Sequence, residues 1–295
     1  MRNHSSTFET AEFALPTRET PTWESTQIQS IINREQLVKV ITGKLPIGIL
    51  NDVTVTTHER LSVIKELEKI KIKKYDNTDA SQRVMVWGKP LVDSDTITNH
   101  LMSPVDDNFE MITTPLFNKV VAEFRKMGFT ISPLVDSTTL LSYPSKVCRL
   151  ISLPEGCYTE QGNQCTVLHC DDIIRDSLKK SDFRYPVGLE NSTYYQFSVC
   201  IQLSDGGYRP DDLFVYERQY SPELEKEFLP NGWQFPIERV KDCRSVSYTP
   251  ELGRCYLFST LQFHDVRGGD PRANRLNFSL FFIYVPEINT MFYYN

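Results

Sequence analysis

The sequence predicts a mainly β fold with flanking α-helices, and three features of its patterning carry that prediction. Two apolar stripes at helical spacing fall in the first half of the chain, over residues 57–73 and 114–128. After Gly128 the pattern changes to short alternating segments. Turn chemistry separates those segments: Pro154-Glu-Gly156, Asp205-Gly-Gly207, Pro250-Glu-Leu-Gly253 and Gly268-Gly-Asp-Pro271. Many short strands so punctuated point to a double-stranded β-helix, a cupin-like jelly roll. Helices first and strands afterwards, with no internal repeat and no linker, predict one core flanked by N-terminal helices. We expect a single domain over 27–295, with the jelly-roll core beginning near residue 130.

Taken in order, residues 1–26 are rich in Thr, Ser and Glu and read as an N-terminal arm. A strand is expected near Val38–Thr42, where Val38, Val40 and Thr42 alternate with Lys39 and Ile41. Thr57 is placed to cap a helix running to about Lys73, with Leu61, Ile64, Leu67 and Ile70 as its buried stripe. The lysines at 65, 69, 71, 73 and 74 form its solvated face. Val84–Leu91 reads as a short strand entering a loop. Thr114-Pro115 is a cap followed by Pro at the first helical position. Phe117, Val120, Val121, Phe124 and Met127 would be buried in that second helix, and Gly128 would end it. The strands expected next are Val147–Leu153, Cys165–Cys170, Tyr195–Leu203, Asp212–Glu217, Ser245–Tyr248, Arg254–Ser259 and Arg275–Val285.

Composition narrows the function classes. The 295 residues, 40% of them apolar, can bury a real core. Net charge is −6, and no basic run interleaves with aromatics, so nucleic acid is not an expected partner. No apolar run is long enough to span a bilayer, and the first residues lack an apolar signal core. The seven cysteines are an odd number with no Cys-x-x-Cys, as expected for free thiols in a reducing cytoplasm. Cys165 and Cys170 flank His169, but their spacing fits no usual zinc pattern. A soluble cytoplasmic monomer or homodimer is the expectation.

The chemistry centres on His169-Cys-Asp171. On an extended strand, residues i and i+2 point to the same face. His264 follows 95 residues later (264 − 169), and Arg275 another 11 later (275 − 264). Two imidazoles and one carboxylate are the ligand set of a facial triad for non-haem Fe(II). On the strand that opens at Arg275, Asn277 and Ser279 share its face. A guanidinium directed into a barrel is an odd core residue unless it meets an anion, and a dicarboxylate such as 2-oxoglutarate suits its planar fork. Arg149 is a second inward candidate. Each residue alone has an ordinary structural explanation; the order His-x-Asp, His, Arg is what points to iron. Asp172 reads as a cap or surface residue. Asp265 is placed as a neighbour of His264 that alternation turns away.

Further segments carry a resemblance: Cys148-Arg149-Leu150, His169-Cys-Asp171, Asp212-Leu-Phe-Val-Tyr216, Tyr248-x-Pro250-x-x-Gly253, His264-x-Val266, Pro271-Arg-x-x-Arg275 and Tyr293-Tyr294. Through them the chain resembles the carrier-independent Fe(II)/2-oxoglutarate halogenases of hapalindole and welwitindolinone biosynthesis, diffusely over about residues 28–295. The resemblance implies that His169 and His264 are iron ligands and that Arg275 anchors 2-oxoglutarate, with Arg272 the competing candidate. It places Arg149 beside the cofactor, and Val84–Leu91, with Trp87, Lys89 and Pro90, at the substrate pocket. Gln196 is a further pocket candidate. One departure matters: those halogenases have Gly where this chain has Asp171, the hydroxylase-type carboxylate.

The expected activity is therefore a dioxygenase using Fe(II), 2-oxoglutarate and O2 to hydroxylate an unactivated C–H bond of a free small molecule. An amino-acid derivative, nucleoside or alkaloid of natural-product biosynthesis is the expected substrate. The alternatives are a desaturase or cyclase, a peptide hydroxylase, or a non-catalytic jelly-roll binding protein.

Overall fold

The computed structural model describes residues 21–70, 73–75, 83–88, 96–102, 106–143, 147–152, 164–178, 182, 184–190, 192–204, 211–229, 234–268 and 274–294. The helices are α1 (Arg34–Ile41), α2 (Thr57–Leu67), α3 (Ile97–Met102), α4 (Asp107–Lys126) and α5 (Ile173–Leu178). The strands are β1 (Gln29–Ser30), β2 (Gly48–Thr54), β3 (Lys73–Tyr75), β4 (Arg83–Gly88), β5 (Thr130–Pro133), β6 (Val147–Ser152) and β7 (Gln164–His169). They continue with β8 (Tyr195–Ser204), β9 (Asp211–Gln219), β10 (Ser245–Tyr248), β11 (Arg254–Ser259), β12 (Gln262–Gly268), β13 (Asn274–Val285) and β14 (Thr290–Tyr294). Among the described residues strand is thus the commoner regular structure, with some helix.

Two sheets face each other. The larger runs β1-β2-β11-β8-β13-β6-β4-β3, with β14 on β13 and β5 on β14; the smaller runs β10-β9-β12-β7. From β6 to β13 the chain passes repeatedly between the sheets, so β7, β9, β10 and β12 lie opposite β6, β8, β11 and β13.

Alternation along the central strands divides the large sheet into two buried faces. Leu276, Phe278, Leu280 and Phe282 of β13 join Phe197, Val199 and Ile201 of β8 against Leu37 and Val40 of α1, Leu67 of α2, and Val120 and Phe124 of α4. There Phe197 stacks on Phe282 with centroids 5.3 Å apart, and Phe124 meets both edge-on. Each such ring, fully buried, stabilises the fold by roughly 1.5–3 kcal/mol. On the other face Cys200, Tyr256 and Phe258 pack against Leu213, Val215, Val246 and Val266 of the small sheet.

The N-terminal half differs from expectation in three places. Val38–Thr42 is not a strand but the end of α1. Asn33 caps that helix by accepting from the Gln36 N–H at 3.0 Å, and Leu37, Val40 and Ile41 are its buried line. That 3.6-residue spacing against the sheet outweighs the β preference of Val and Ile. In α2 the cap is Thr56, in a capping box with Glu59, and the helix stops at Leu67. Its buried face is Arg60, Val63 and Leu67, and Leu61 is 57% exposed. Of the expected stripe, Leu67 is buried and Ile64 and Ile70 pack partly buried against the core, whereas strict three-residue spacing carries Leu61 off that face. Helix α4 begins at Asp107, eight residues before Pro115 (115 − 107), which lies inside it. Asp106 caps it by accepting from the Asn108 and Phe109 N–H groups. The Thr113 and Thr114 hydroxyls donate to the Phe109 and Glu110 carbonyls at 2.7 and 2.6 Å, just ahead of the break that Pro115 makes in the ladder. Gly128 (φ 83°) ends the helix as expected.

The arm is tied down at its end. Trp23 is buried, and its backbone N–H donates to Glu217 Oε1 at 2.7 Å; residues 1–20 lie outside the described set. Cys170, Cys200, Cys243 and Cys255 are free thiols, while the side chains of Cys148, Cys157 and Cys165 lie outside the described residues. Among the described residues no helix is long and apolar enough to cross a membrane.

Candidate metal centre

Strand β7 ends at His169, and β12 carries His264. The two are direct partners across the antiparallel ladder, which sets their rings 4.3 Å apart between centroids. Asp171 follows two residues beyond His169, past the strand end. Its carboxylate oxygens stand 3.8 Å from His169 Nε2 and 3.7 Å from His264 Nε2. Those separations are longer than hydrogen bonds. The three ligating atoms all lie within 4.8 Å of one another, and no other cluster of this kind occurs among the described residues.

The hydrogen bonding suits a cation. His264 Nδ1 donates to the Gln262 carbonyl at 2.9 Å, so in the neutral imidazole Nε2 is the nitrogen offered to an ion beside Asp171. Two donors on one ion at about 2.1 Å each stand no more than roughly 4.2 Å apart. The contacts to Asp171 already meet that limit. Two neutral imidazoles and a carboxylate on one side of the ion are the donor set of a facial triad. Phe258, from the large sheet, packs its ring 4.8 Å from that of His264 and closes the inner side. Side-chain exposure rises from 6% at His264 to 14% at His169 and 29% at Asp171, so the open side lies toward the carboxylate.

Neighbouring residues are accounted for. Asp172 is fully buried and accepts from the Ile174 N–H and the Tyr194 hydroxyl, capping α5. Asp265 turns away from the triad to Arg267, at 2.7 Å. Cys170 packs with Leu168, Tyr216 and Phe263 in a separate apolar cluster, which leaves no zinc ligand in Cys170.

Across the gap, β13 turns Arg275, Asn277 and Ser279 to the inner face. Asn277 Nδ2 donates to the Tyr256 hydroxyl at 3.2 Å, and Ser279 contacts Cys200. Arg275 is 5% exposed. Asn277 Oδ1 is buried with no hydrogen-bond partner among the described residues. Burial pushes the Tyr256 hydroxyl well above the usual tyrosine range, while the nearby Arg275 charge pulls the other way, so the phenol stays a donor. A buried guanidinium fits a bound carboxylate, and the Asn277 amide joins it as a donor once turned over, with its oxygen toward the phenol. Arg149 is opposite Asn277 in the β6–β13 ladder, with its side chain outside the described residues, as is all of Arg272.

Of the four substrate-pocket candidates, Trp87 and Gln196 have described side chains. Trp87 is buried in the helix-covered core, its indole N–H donating to the Leu67 carbonyl at 3.1 Å. Gln196 is 1% exposed, with both ends of its amide engaged beneath Asp171. Neither set of contacts is that of a pocket wall. Lys89 and Pro90 lie outside the described residues. Sequence reasoning passed over Gln262, Phe258 and Tyr256. Alternation from His264 and along β11 was the signal that would have found them.

No protein-family model matches the chain, and no curated protein matches it. Among solved structures it is similar to the epimerase SnoN in complex with Fe3+, alpha ketoglutarate and nogalamycin RO (12% identity, TM-score 0.48, covering 84% of this chain and 83% of that one). It is also similar to HygX from Streptomyces hygroscopicus with nickel, 2-oxoglutarate and hygromycin B bound (15%, 0.45, 90% and 97%). A third is an N-substituted L-amino acid dioxygenase from Burkholderia ambifaria AMMD in complex with alpha-KG (14%, 0.40, 75% and 88%). At these identities and scores the likeness assigns no activity, and what the chain does is argued from its own residues.

Proposed function

We propose that the protein is an Fe(II)/2-oxoglutarate-dependent dioxygenase that hydroxylates an unactivated C–H bond of a free small molecule, with succinate and CO2 as co-products. The observation that carries this is the convergence of His169, Asp171 and His264, set opposite a buried arginine. Strands β6 to β13 read as the jelly roll that brings the two together, within one domain.

His169, His264 and Asp171 would hold the ion by one face, leaving the remaining positions toward solvent. Arg275 would take the distal carboxylate of the co-substrate. Turning the Asn277 amide over lets Tyr256 donate to Oδ1 and makes Nδ2 a second donor beside the guanidinium. Phe258 and the apolar residues between the sheets keep water from the inner side of the site. Bound iron with 2-oxoglutarate and O2 supplies the oxidising power. Asp171 would fill the place a halide needs, and its charge would repel an incoming anion, which favours hydroxylation over halogenation.

The test is anaerobic addition of Fe(II) and then 2-oxoglutarate, followed by visible absorption. A metal-to-ligand band that saturates with 2-oxoglutarate, and is missing in His169→Ala, is expected. No band in the wild-type protein sinks the proposal.

A further inference from the structure

Two buried, uncharged side chains converge on the Asp171 carbonyl, and the Thr260 backbone takes up its N–H. Gln196 Nε2 donates to the Asp171 carbonyl at 2.7 Å and to Thr260 Oγ1 at 3.0 Å. Thr260 Oγ1 donates to the same carbonyl at 3.1 Å. The Asp171 N–H donates to the Thr260 carbonyl at 2.9 Å, and the Thr260 N–H to the Gln196 carbonyl at 3.1 Å. At its other end, Gln196 Oε1 accepts from the Ile173 N–H at 2.8 Å. Gln196 and Thr260 are 1% and 0% exposed.

The arrangement has a specific consequence. Asp171 sits beyond the end of β7, where no ladder holds it, and its carboxylate is the most exposed of the three ligands. Both imidazoles ride on paired strands. Thr260 lies in the turn from β11 to β12, four residues before His264 (264 − 260), and Gln196 lies on β8 of the opposite sheet. We infer that Gln196 and Thr260 are positioning residues: they lock the loop bearing the carboxylate ligand to the β11–β12 connection that leads into His264, and so set the third donor in register with the other two. They touch the backbone of Asp171 and not the ion. The inference rests on the metal-site reading. Groups that orient a ligand from behind commonly control metal affinity by tenfold to a hundredfold.

Anaerobic Co(II) titration, read by visible ligand-field absorption, tests this alongside thermal unfolding of the metal-free protein. Thr260→Val removes only the hydroxyl, Gln196→Leu removes the amide, and Thr260→Ser restores the hydroxyl. Thr113→Val, in α4, removes an equally buried hydroxyl bonded to Phe109 and serves as the control. Thr260→Val and Gln196→Leu are expected to raise the Co(II) Kd about tenfold or more and to change the absorption band. Thr260→Ser should restore both, while Thr113→Val lowers only the melting temperature. If Thr260→Val binds Co(II) with wild-type Kd and spectrum while melting earlier, the pair is merely structural and the inference is overturned. Should Gln196→Leu not fold, the Val and Ser variants at 260 decide alone. A different result marks failure of the metal site itself: wild type that takes up no Co(II), or His264→Ala that binds it as tightly.

Discussion

Arg275→Leu separates a co-substrate anchor from a core residue. The guanidinium is 5% exposed on the inner face of β13, close enough to Tyr256 to offset part of the burial effect on that phenol. A carboxylate held there by the fork of an arginine makes two charge-assisted hydrogen bonds in a site shielded from water. Such bonds contribute about 1.5–3 kcal/mol each, and a shared pair loses about 3 kcal/mol when its donor is removed. At 1.4 kcal/mol per factor of ten, that is a rise of about a hundredfold in the 2-oxoglutarate Kd. The assay is the charge-transfer titration at saturating Fe(II) without oxygen, repeated as an apparent KM in turnover. Metal affinity should stay within about twofold of wild type, since the ligands lie on the opposite sheet. Arg275→Lys keeps the charge but loses the fork and should fall between. A wild-type Kd in Arg275→Leu refutes the assignment. A larger loss in Arg272→Leu than in Arg275→Leu moves the anchor to Arg272.

Three further outcomes are expected. His169→Ala or His264→Ala should abolish Fe(II)-dependent 2-oxoglutarate decarboxylation while circular dichroism stays native; wild-type turnover in either would remove that residue from the ligand set. With chloride or bromide present, mass spectrometry of the wild-type product should show added oxygen and no halogen, whereas Asp171→Gly opens the third position and should bind halide at the metal; a halogenated wild-type product would mean that Asp171 is not a ligand. Hydrogen bonding to Lys119 at 2.7 Å, with help from the Thr56 N–H, lowers the Glu59 carboxyl to about 2. A depressed folded-state pKa stabilises above the unfolded value and is lost as pH falls, here between about 4.5 and about 2. Because the pair is partly solvated, Glu59→Gln should cost about 1 kcal/mol or less at pH 7. Urea unfolding should show that difference shrinking toward pH 3, and a difference that grows on acidification contradicts the assigned pair.

Much of the second half was legible because its signals are local. Alternation placed β6 to β11 and β13 to within a residue or two at most ends, since period-two patterning and turn residues act over a few positions. The ligand spacing His169-x-Asp171 was legible for the same reason: two residues on extended chain share a face whatever the fold. The helices were read less well. The Val38–Thr42 segment satisfies a strand pattern and a helix pattern equally, and only the helix-covered face of the large sheet chose between them. Pro115 looked like a helix start because its missing N–H is harmless there. It lies instead inside α4, a helix whose apolar face is buried deeply enough to hold it together across the break.

By itself the sequence determined which residue types were available, and their faces along each strand: two imidazoles and a carboxylate for an ion, an arginine directed inward. Only the tertiary structure decided that they meet. His264 pairs with His169 through a ladder between segments 95 residues apart (264 − 169). The same holds for Gln196, whose sequence is compatible with a pocket wall or a brace. Its amide finds the Asp171 carbonyl, the Ile173 N–H and Thr260 only when three distant segments close on one another. Periodicity reports which way a side chain points, whereas the identity of what it touches depends on which strand lies alongside, and that is settled by the packing of the whole core.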